Sequence, residues 1–513
     1  MSTTIASAQQ CSDLACALAS RIPYLSAVGG RPITHLAETL EARARHFEWA
    51  INEKCAAETA VGLSAVGARS AVVLKHNGLS FALDSLLNAG VHSIGAGMLL
   101  VVGDDPNALS STSIQDSRML AKFANLPLLE PALDGDADSA VGLALSLSEQ
   151  HRTPVIVRVT QALHRGCRTD AGSNRIDSPV SVPTEPFAGP GQQGDRSVAH
   201  GLTKLGRFQR QRLTTVPHSR RAFGDHLVEA CCRPSCSDSV VAVGAVARRV
   251  DEAVGQEVCT LSVRAGWPVP SEVVAFADRH PSVLVAEDSA PFLEGFLLRH
   301  AASRSAVRGR LSGHLPPDGA LSVDDVRRAG AGPYPGAWQT AERKSDVPPA
   351  LGRYDTLFRA IGLLHAEGTF VATDVGSSVR LCYPPYSGAD VALSLGSAAA
   401  VAGGAARTGR RAIAVMGDYA LLHSGLEPLL ETVRHGLPTL TVVLDNGVQA
   451  QTGGQPVPNV PLLPLIESCG VTATDSWAVD ELSVQATTRR LVDLLHGPLP
   501  AVALVSTGKR EHV

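Results

Sequence analysis

The stretch Gly417–Gln455, GDYALLHSGLEPLLETVRHGLPTLTVVLDNGVQAQTGGQ, decides the fold. An apolar run, Ala412 to Met416, ends in Gly417-Asp418; a helical pattern follows; a second apolar run, Leu440 to Leu444, ends in Asp445-Asn446. Short apolar runs bounded by turn residues read as two strands around one helix. Parallel strands joined this way bring their carboxyl ends to one edge of the sheet, where open α/β sheets bind ligands. Asp418 and Asn446, 28 residues apart, then face one crevice. A hard cation such as Mg²⁺ suits that pair, because it takes one or two ligands from protein oxygens and the rest from phosphate and water. An ordinary turn Asp and turn Asn is the competing explanation, since Gly-Asp and Asp-Asn are common loop dipeptides.

Outward from this unit the chain alternates apolar strands with helical patterns, as a parallel α/β protein requires. Strands are expected near Ala71 to Leu74, Met98 to Val102, Pro154 to Val159, Ser239 to Val243, Ser282 to Ala286 and Pro500 to Ser506. The expected organisation is a first α/β domain over 1–170, a Pro/Gly/Ser-rich connection over 171–220 and a smaller α/β block over 221–331. A second connection over 332–352 leads to the domain 353–513 that holds Asp418 and Asn446.

The spacing from Gly417-Asp418 to Asn446 resembles the metal and diphosphate signature of thiamine-diphosphate enzymes. That resemblance implies that Asp418, Asn446 and the carbonyl of Val448 hold Mg²⁺. It also implies that Gly396, Ser397, Gly417, Tyr419 and Ala420 line the cofactor, with Tyr419 standing where many members have Gly or Ser. A second match lies at the other end. Thiamine chemistry needs a carboxylate against the aminopyrimidine ring, and Glu53, nine residues before Gly62 on a helix of small residues, offers one. Glu48 and Glu58 compete with it, and a solvated helix carboxylate is the commoner state of a Glu.

Glu48 to Arg118, including KHNGL (Lys75 to Leu79) and VVGDDPNALSSTSIQDSR (Val101 to Arg118), resembles the alpha subunit of indolepyruvate:ferredoxin oxidoreductase. LHSG (Leu422 to Gly425), TGGQPVP (Thr452 to Pro458) and VRAGWPVP (Val263 to Pro270) continue the resemblance in the same order. It implies a thiamine-diphosphate fold: two doubly wound parallel-sheet cofactor domains, for the pyrimidine (1–170) and the diphosphate (353–513), flanking the middle α/β block. It also implies a homodimer with active sites at the subunit interface.

Departures from that family bear on the reaction. Iron–sulfur clusters need sets of Cys thiolates, with C-x-x-C runs, and the ten cysteines here include no such run. Pro348-Pro349-Ala350-Leu351 stands where the family shows C-P-G-C. The ferredoxin-like extension is not found either, so no iron–sulfur cluster is expected. Cys231, Cys232 and Cys236 are expected to be reduced thiols in a reducing compartment.

Three functions compete. The first, which the missing cluster ligands make the expected one, is non-oxidative conversion of a 2-oxo acid, by decarboxylation and then protonation to an aldehyde or carboligation. The second is a 2-oxoacid:ferredoxin oxidoreductase subunit that uses the clusters of a separate partner. The third is a non-catalytic cofactor-binding scaffold, against which the retained Glu53, Asp418 and Asn446 weigh. His76 and His423, in segments expected to flank the cofactor, are the proton-transfer candidates, since His exchanges protons near neutral pH. Arg31, in the turn Val28-Gly29-Gly30-Arg31-Pro32-Ile33, stands where the family places a substrate-adjacent Thr, and an Arg there suits a substrate carboxylate. With 513 residues, 44% hydrophobic content and net charge −4, the chain has ample core and no basic footprint for nucleic acid. No apolar run reaches membrane-spanning length and the N-terminus lacks a signal-peptide pattern, so a cytoplasmic enzyme is expected.

Overall fold

Aliphatic and β-branched runs form the strands wherever the sequence is apolar on both faces, the pattern of a sheet covered on each side. The computed structural model describes residues 13–92, 94–107, 114–131, 137–160, 204–232, 236, 238–254, 258–302, 307–333 and 352–507. The chain divides into two compact units, Met1–Thr340 and Ala341–Val513.

In the first unit the strands are β1 (Tyr24–Ala27), β2 (His46–Trp49), β3 (Ser70–Lys75), β4 (Met98–Asp104), β5 (Leu128–Leu129), β6 (Val155–Thr160), β7 (Val228–Cys231), β8 (Ser239–Val243), β9 (Cys259–Val263), β10 (Ala265–Trp267), β11 (Val283–Ala286) and β12 (Val307–Arg308). One sheet has the order β10-β5-β6-β4-β3-β1-β2 and is parallel apart from β10, which runs antiparallel to β5. The second sheet has the order β12-β11-β8-β9-β7, with β7 antiparallel at its edge. Residues of both sheets share one apolar core, in which Val72, Leu100 and Val157 lie with Val241, Leu261 and Val285. The segment from Lys204 to Leu227, partly within the expected connection, is helical. Its Gln211 is buried and donates to the carbonyls of Ala124 and Asn125, which close a preceding helix. Residues 171–203 of that connection, and 334–351 of the second, lie outside the described residues.

A fully buried ionic cluster joins the two sheets of this unit. Arg118 contacts Asp116 at 2.6 Å and Glu287, beyond β11, at 2.6 Å. Arg158 on β6 contacts Asp104 at 2.6 Å and Glu130 at 2.7 Å, and donates to Ser289 Oγ at 2.9 Å. Paired charges are the form in which buried Arg and carboxylates persist.

One expectation about the cysteines is corrected. Cys232 is disulfide-bonded to Cys259, with the two Cα atoms 4.4 Å apart, rather than standing as a reduced thiol. Antiparallel pairing of Cys231 with Thr260 carries Cys232 alongside Cys259, a tertiary register that spacing in the sequence does not reveal. Cys231 and Cys236 are free.

In the second unit β13 (Phe370–Thr373), β14 (Val391–Ala392), β15 (Ala412–Gly417), β16 (Thr439–Asp445), β19 (Ala473–Ala478) and β20 (Ala501–Ser506) form a parallel sheet of order β14-β13-β15-β16-β20-β19. A short antiparallel ribbon pairs β17 (Val448–Gln449) with β18 (Gln455–Pro456). Two parallel α/β units with helices between strands bear out the expected fold class. No helix among the described residues is long and apolar enough to cross a membrane.

Candidate functional site

Chemistry collects at the carboxyl ends of the strands in each unit, and the two sets are described separately.

In the second unit β15 and β16 are neighbours, with Gly417 in register with Leu444, so Asp418 and Asn446 leave the sheet side by side. Asp418 is 2% exposed. Its Oδ2 accepts the backbone N–H of Asn446 at 3.1 Å and of Gly447 at 2.7 Å, and its Oδ1 that of Tyr419 at 2.7 Å. Burial pushes the Asp418 carboxyl up to about 6; the three N–H groups pull it down and nearby Asp445 raises it further. Asn446 Oδ1 accepts the N–H of Val448 at 3.2 Å, and the Val448 carbonyl accepts that of Ala450 at 3.0 Å, each oxygen keeping a second lone pair. The Tyr354 hydroxyl is buried without a hydrogen-bond partner; desolvation, then Asp418 and Asp445, hold it well above the usual phenol range.

Glycines shape the same edge. A Cβ on Gly417 would meet nothing within 4 Å, leaving open space beside Asp418. Gly396 has φ +77, and a Cβ there would lie 2.5 Å from Ser424 Oγ and 2.9 Å from the Ala420 carbonyl oxygen, so only glycine fits. Ser397 precedes the helix Ala398–Ala406 and its hydroxyl donates to the Ser394 carbonyl at 2.8 Å. The helix that starts at Asp418 widens into a π-turn over Leu421–Gly425, which carries His423. Ser424 Oγ spends its hydrogen on the Leu395 carbonyl at 2.8 Å, so His423 Nδ1, 2.9 Å from the same oxygen, is the donor in that contact. The Tyr419 and His423 rings meet edge to face at 5.6 Å.

Asp374, at the end of β13, was not singled out by the sequence. It is fully buried; desolvation raises its carboxyl, while the Ser378 hydroxyl and the backbone N–H groups of Gly376, Gly417 and Gly396 oppose that. Its Oδ1 accepts the Gly376 N–H at 3.1 Å, and the amides of Gly417, which precedes Asp418, and of Gly396 lie near enough to act on its charge. Its signal was the run Thr373-Asp374-Val375-Gly376, a strand end followed by an Asx turn.

These residues fit a metal-bound diphosphate. Asp418 is a carboxylate that burial leaves short of positive charge, oxygens with spare lone pairs stand beside it, and space opens at Gly417.

In the first unit Glu53 opens the helix Glu53–Ala65, capped by Asn52, directly after β2. It is half-buried and packs on Gly78 so closely that a Cβ there would sit 2.4 Å from Glu53 Cγ and Oε1. The two competitors stand elsewhere. Glu58 is exposed and bonded to Lys54 and to Ser85. Glu48 is exposed and lines a cleft of about 670 Å³ with Tyr24, Arg45 and His46, at the opposite, amino ends of β1 and β2. His76 is fully buried at the end of β3, its Nδ1 3.3 Å from the Gly103 carbonyl oxygen. Lys75, also not singled out by the sequence, is lowered by burial and raised by Glu53 and Asp105, and its chain packs over Gly30. Arg31, beside Gly30, is exposed. Glu53, Lys75, His76 and Arg31 thus share the carboxyl edge of the first sheet.

Residues 374–463 match the family described as thiamine pyrophosphate enzyme, C-terminal TPP binding domain. Indolepyruvate oxidoreductase subunit IorA of Methanothermobacter marburgensis is 32% identical over 476 residues, covering 87% of this chain and 75% of that protein. This chain belongs to the IorA family. The IorA subunit of Archaeoglobus fulgidus is 26% identical over 528 residues, covering 94% of this IorA-family chain and 82% of its own. The solved 2-oxoglutarate:ferredoxin oxidoreductase from Magnetococcus marinus aligns at TM-score 0.46 and 16% identity, over 63% of this chain and 64% of that one.

Proposed function

We propose that this IorA-family chain is the thiamine-diphosphate-binding subunit of a 2-oxo acid oxidoreductase acting on an indolepyruvate-like aryl 2-oxo acid. Electrons would leave through redox centres on a separate polypeptide. The observation that carries this reading is similarity over most of the chain to proteins named as oxidoreductase subunits. It favours the oxidoreductase alternative over the non-oxidative reaction first expected from the cysteines. A multi-subunit assembly also replaces the simple homodimer as the reading of choice.

When bound, thiamine diphosphate supplies an electron sink for loss of CO₂ from a 2-oxo acid. Asp418, Asn446 and the Val448 carbonyl would hold its Mg²⁺, with Gly396, Ser397, Gly417, Tyr419 and Ala420 along the cofactor. Glu53 would hold a proton against the aminopyrimidine ring, held in place by Gly78 and by the charge of Lys75. His76 and His423 would exchange protons with substrate, and exposed Arg31 would bind its carboxylate.

The absence of a C-x-x-C run among the ten cysteines supports a second reading, the non-oxidative decarboxylase or carboligase. One anaerobic experiment separates the two: CO₂ release from a panel of aryl and alkyl 2-oxo acids, with cofactor and Mg²⁺, with and without an artificial electron acceptor. Release that depends on the acceptor is expected. Acceptor-independent release with aldehyde or carboligation product would replace the proposal by the second reading. Cofactor binding without CO₂ release under either condition would favour the scaffold.

A further inference from the structure

The cysteine pair of the second sheet in the first unit carries a third ligand-type side chain. The sulfurs of Cys232 and Cys259 and a ring nitrogen of His280 lie within 4.8 Å of one another. His280 ends the helix Ser271–Arg279, where its Nδ1 is 2.8 Å from the Phe276 carbonyl oxygen and its ring packs tilted against Phe276 at 4.3 Å between centroids. A ring nitrogen against a carbonyl must carry the hydrogen, so the lone pair sits on Nε2 in a ring already held in orientation. Cys232 is exposed and Cys259 buried, so one sulfur can be reached from solvent while the other is shielded.

We propose that Cys232, Cys259 and His280 form a redox-gated metal site: closed as a disulfide, and able when reduced to bind one Zn²⁺-class cation through two thiolates and an imidazole. Thiolate and imidazole are the donors that such a cation selects, and three protein ligands leave the fourth tetrahedral position to water. Opening the site needs a two-electron reductant, for which a dithiol serves. Its thiolate attacks the exposed Cys232 sulfur, the S–S bond breaks, and its second thiol resolves the mixed disulfide. The reductant leaves as its own disulfide, having given two electrons and two protons to the cysteines. Cation binding then releases both thiol protons. In either state the same residues fasten β7, an edge strand exposed along Glu229–Cys231, to β9. An edge left loose is open to unwanted pairing.

The test uses the full chain, reduced with a phosphine, freed of reductant under nitrogen and titrated with Co²⁺. One Co²⁺ per chain is expected, with thiolate-to-metal charge-transfer absorption that Zn²⁺ abolishes. The untreated disulfide form should show none. Cys232→Ser, at an exposed position, should remove the charge-transfer band, and His280→Gln should weaken binding and shift the visible bands, with circular dichroism unchanged in each. A Cys231→Ser/Cys236→Ser double variant should bind as wild type. The proposal is overturned by absence of charge-transfer absorption in the reduced protein, or by its persistence unchanged in both the Cys232→Ser and the His280→Gln variants.

Discussion

Asp418 holds the backbone of Asn446: the carboxylate at the end of β15 accepts the N–H of the residue that follows β16, at 3.1 Å, and that of Gly447 at 2.7 Å. The side chain proposed to ligate a cation therefore also fixes the loop that brings the other ligands. Asp418→Ala should abolish Mg²⁺-dependent cofactor binding and also loosen residues 446–448. Calorimetry would show the loss of binding, and faster amide exchange across the loop would show the loosening.

Its titration sets a pH dependence. The folded carboxyl sits at about 6 against an ordinary 3.8, so the ligand-free folded state binds this proton more tightly than the unfolded state does. The contribution of Asp418 to stability therefore falls as pH rises from about 4 to about 6 and is flat above that, a total of about 3 kcal/mol. A cation needs the ionised form. Its affinity should weaken about tenfold per pH unit below about pH 6 and level off above it. Mg²⁺ titrations of the wild type at several pH values check this, and a pH-independent affinity would remove Asp418 from the ligand set.

Two glycines at this edge should respond in opposite ways. Gly396→Ala forces a non-glycine residue to φ +77 and a contact of 2.9 Å with the Ala420 carbonyl oxygen, so a loss of at least about 1–2 kcal/mol is expected in denaturant melts. Gly417→Ala meets no atom within 4 Å and should fold as wild type, yet its methyl would enter the space assigned to the cofactor. Weakened cofactor binding at unchanged melting temperature is the expected result.

The strand framework was legible because each strand is an apolar run ending in a turn residue. The runs at Met98, Ser239, Ala412 and Leu440 lie within a residue or two of β4, β8, β15 and β16. The pairing of Asp418 with Asn446 followed from parallel crossover geometry alone. What was not legible depends on contacts between distant segments. Asp374 is buried among segments more than twenty residues on, and the amides of Gly396 and Gly417 there lower its carboxyl against the effect of burial. The disulfide depends on the register of β7 against β9, and β10 joins the first sheet antiparallel across more than a hundred residues. Nor does periodicity say that Arg118 and Arg158, ordinary basic residues in sequence, are wholly buried.

That buried cluster gives a stability prediction distinct from catalysis. Arg158→Met would leave Asp104 and Glu130 without their main counter-charge at almost no exposure, and a loss of about 3–5 kcal/mol is expected. Urea melts of the full chain would read it.

The Glu53–Gly78 contact separates the catalytic proposal from a structural one. Glu53→Gln keeps the shape of the side chain while removing its charge, so turnover should vanish with cofactor binding largely retained. Gly78→Ala keeps the charge but puts a methyl where Glu53 Cγ and Oε1 now lie, 2.4 Å away, so the carboxylate must move. Its turnover should fall steeply as well, because displacement of a catalytic group by about 1 Å costs about 100-fold. Unchanged turnover in Glu53→Gln would take Glu53 out of the role. A silent Glu53→Gln with a fully active Gly78→Ala would instead show that the carboxylate works from a position other than the one packed against Gly78.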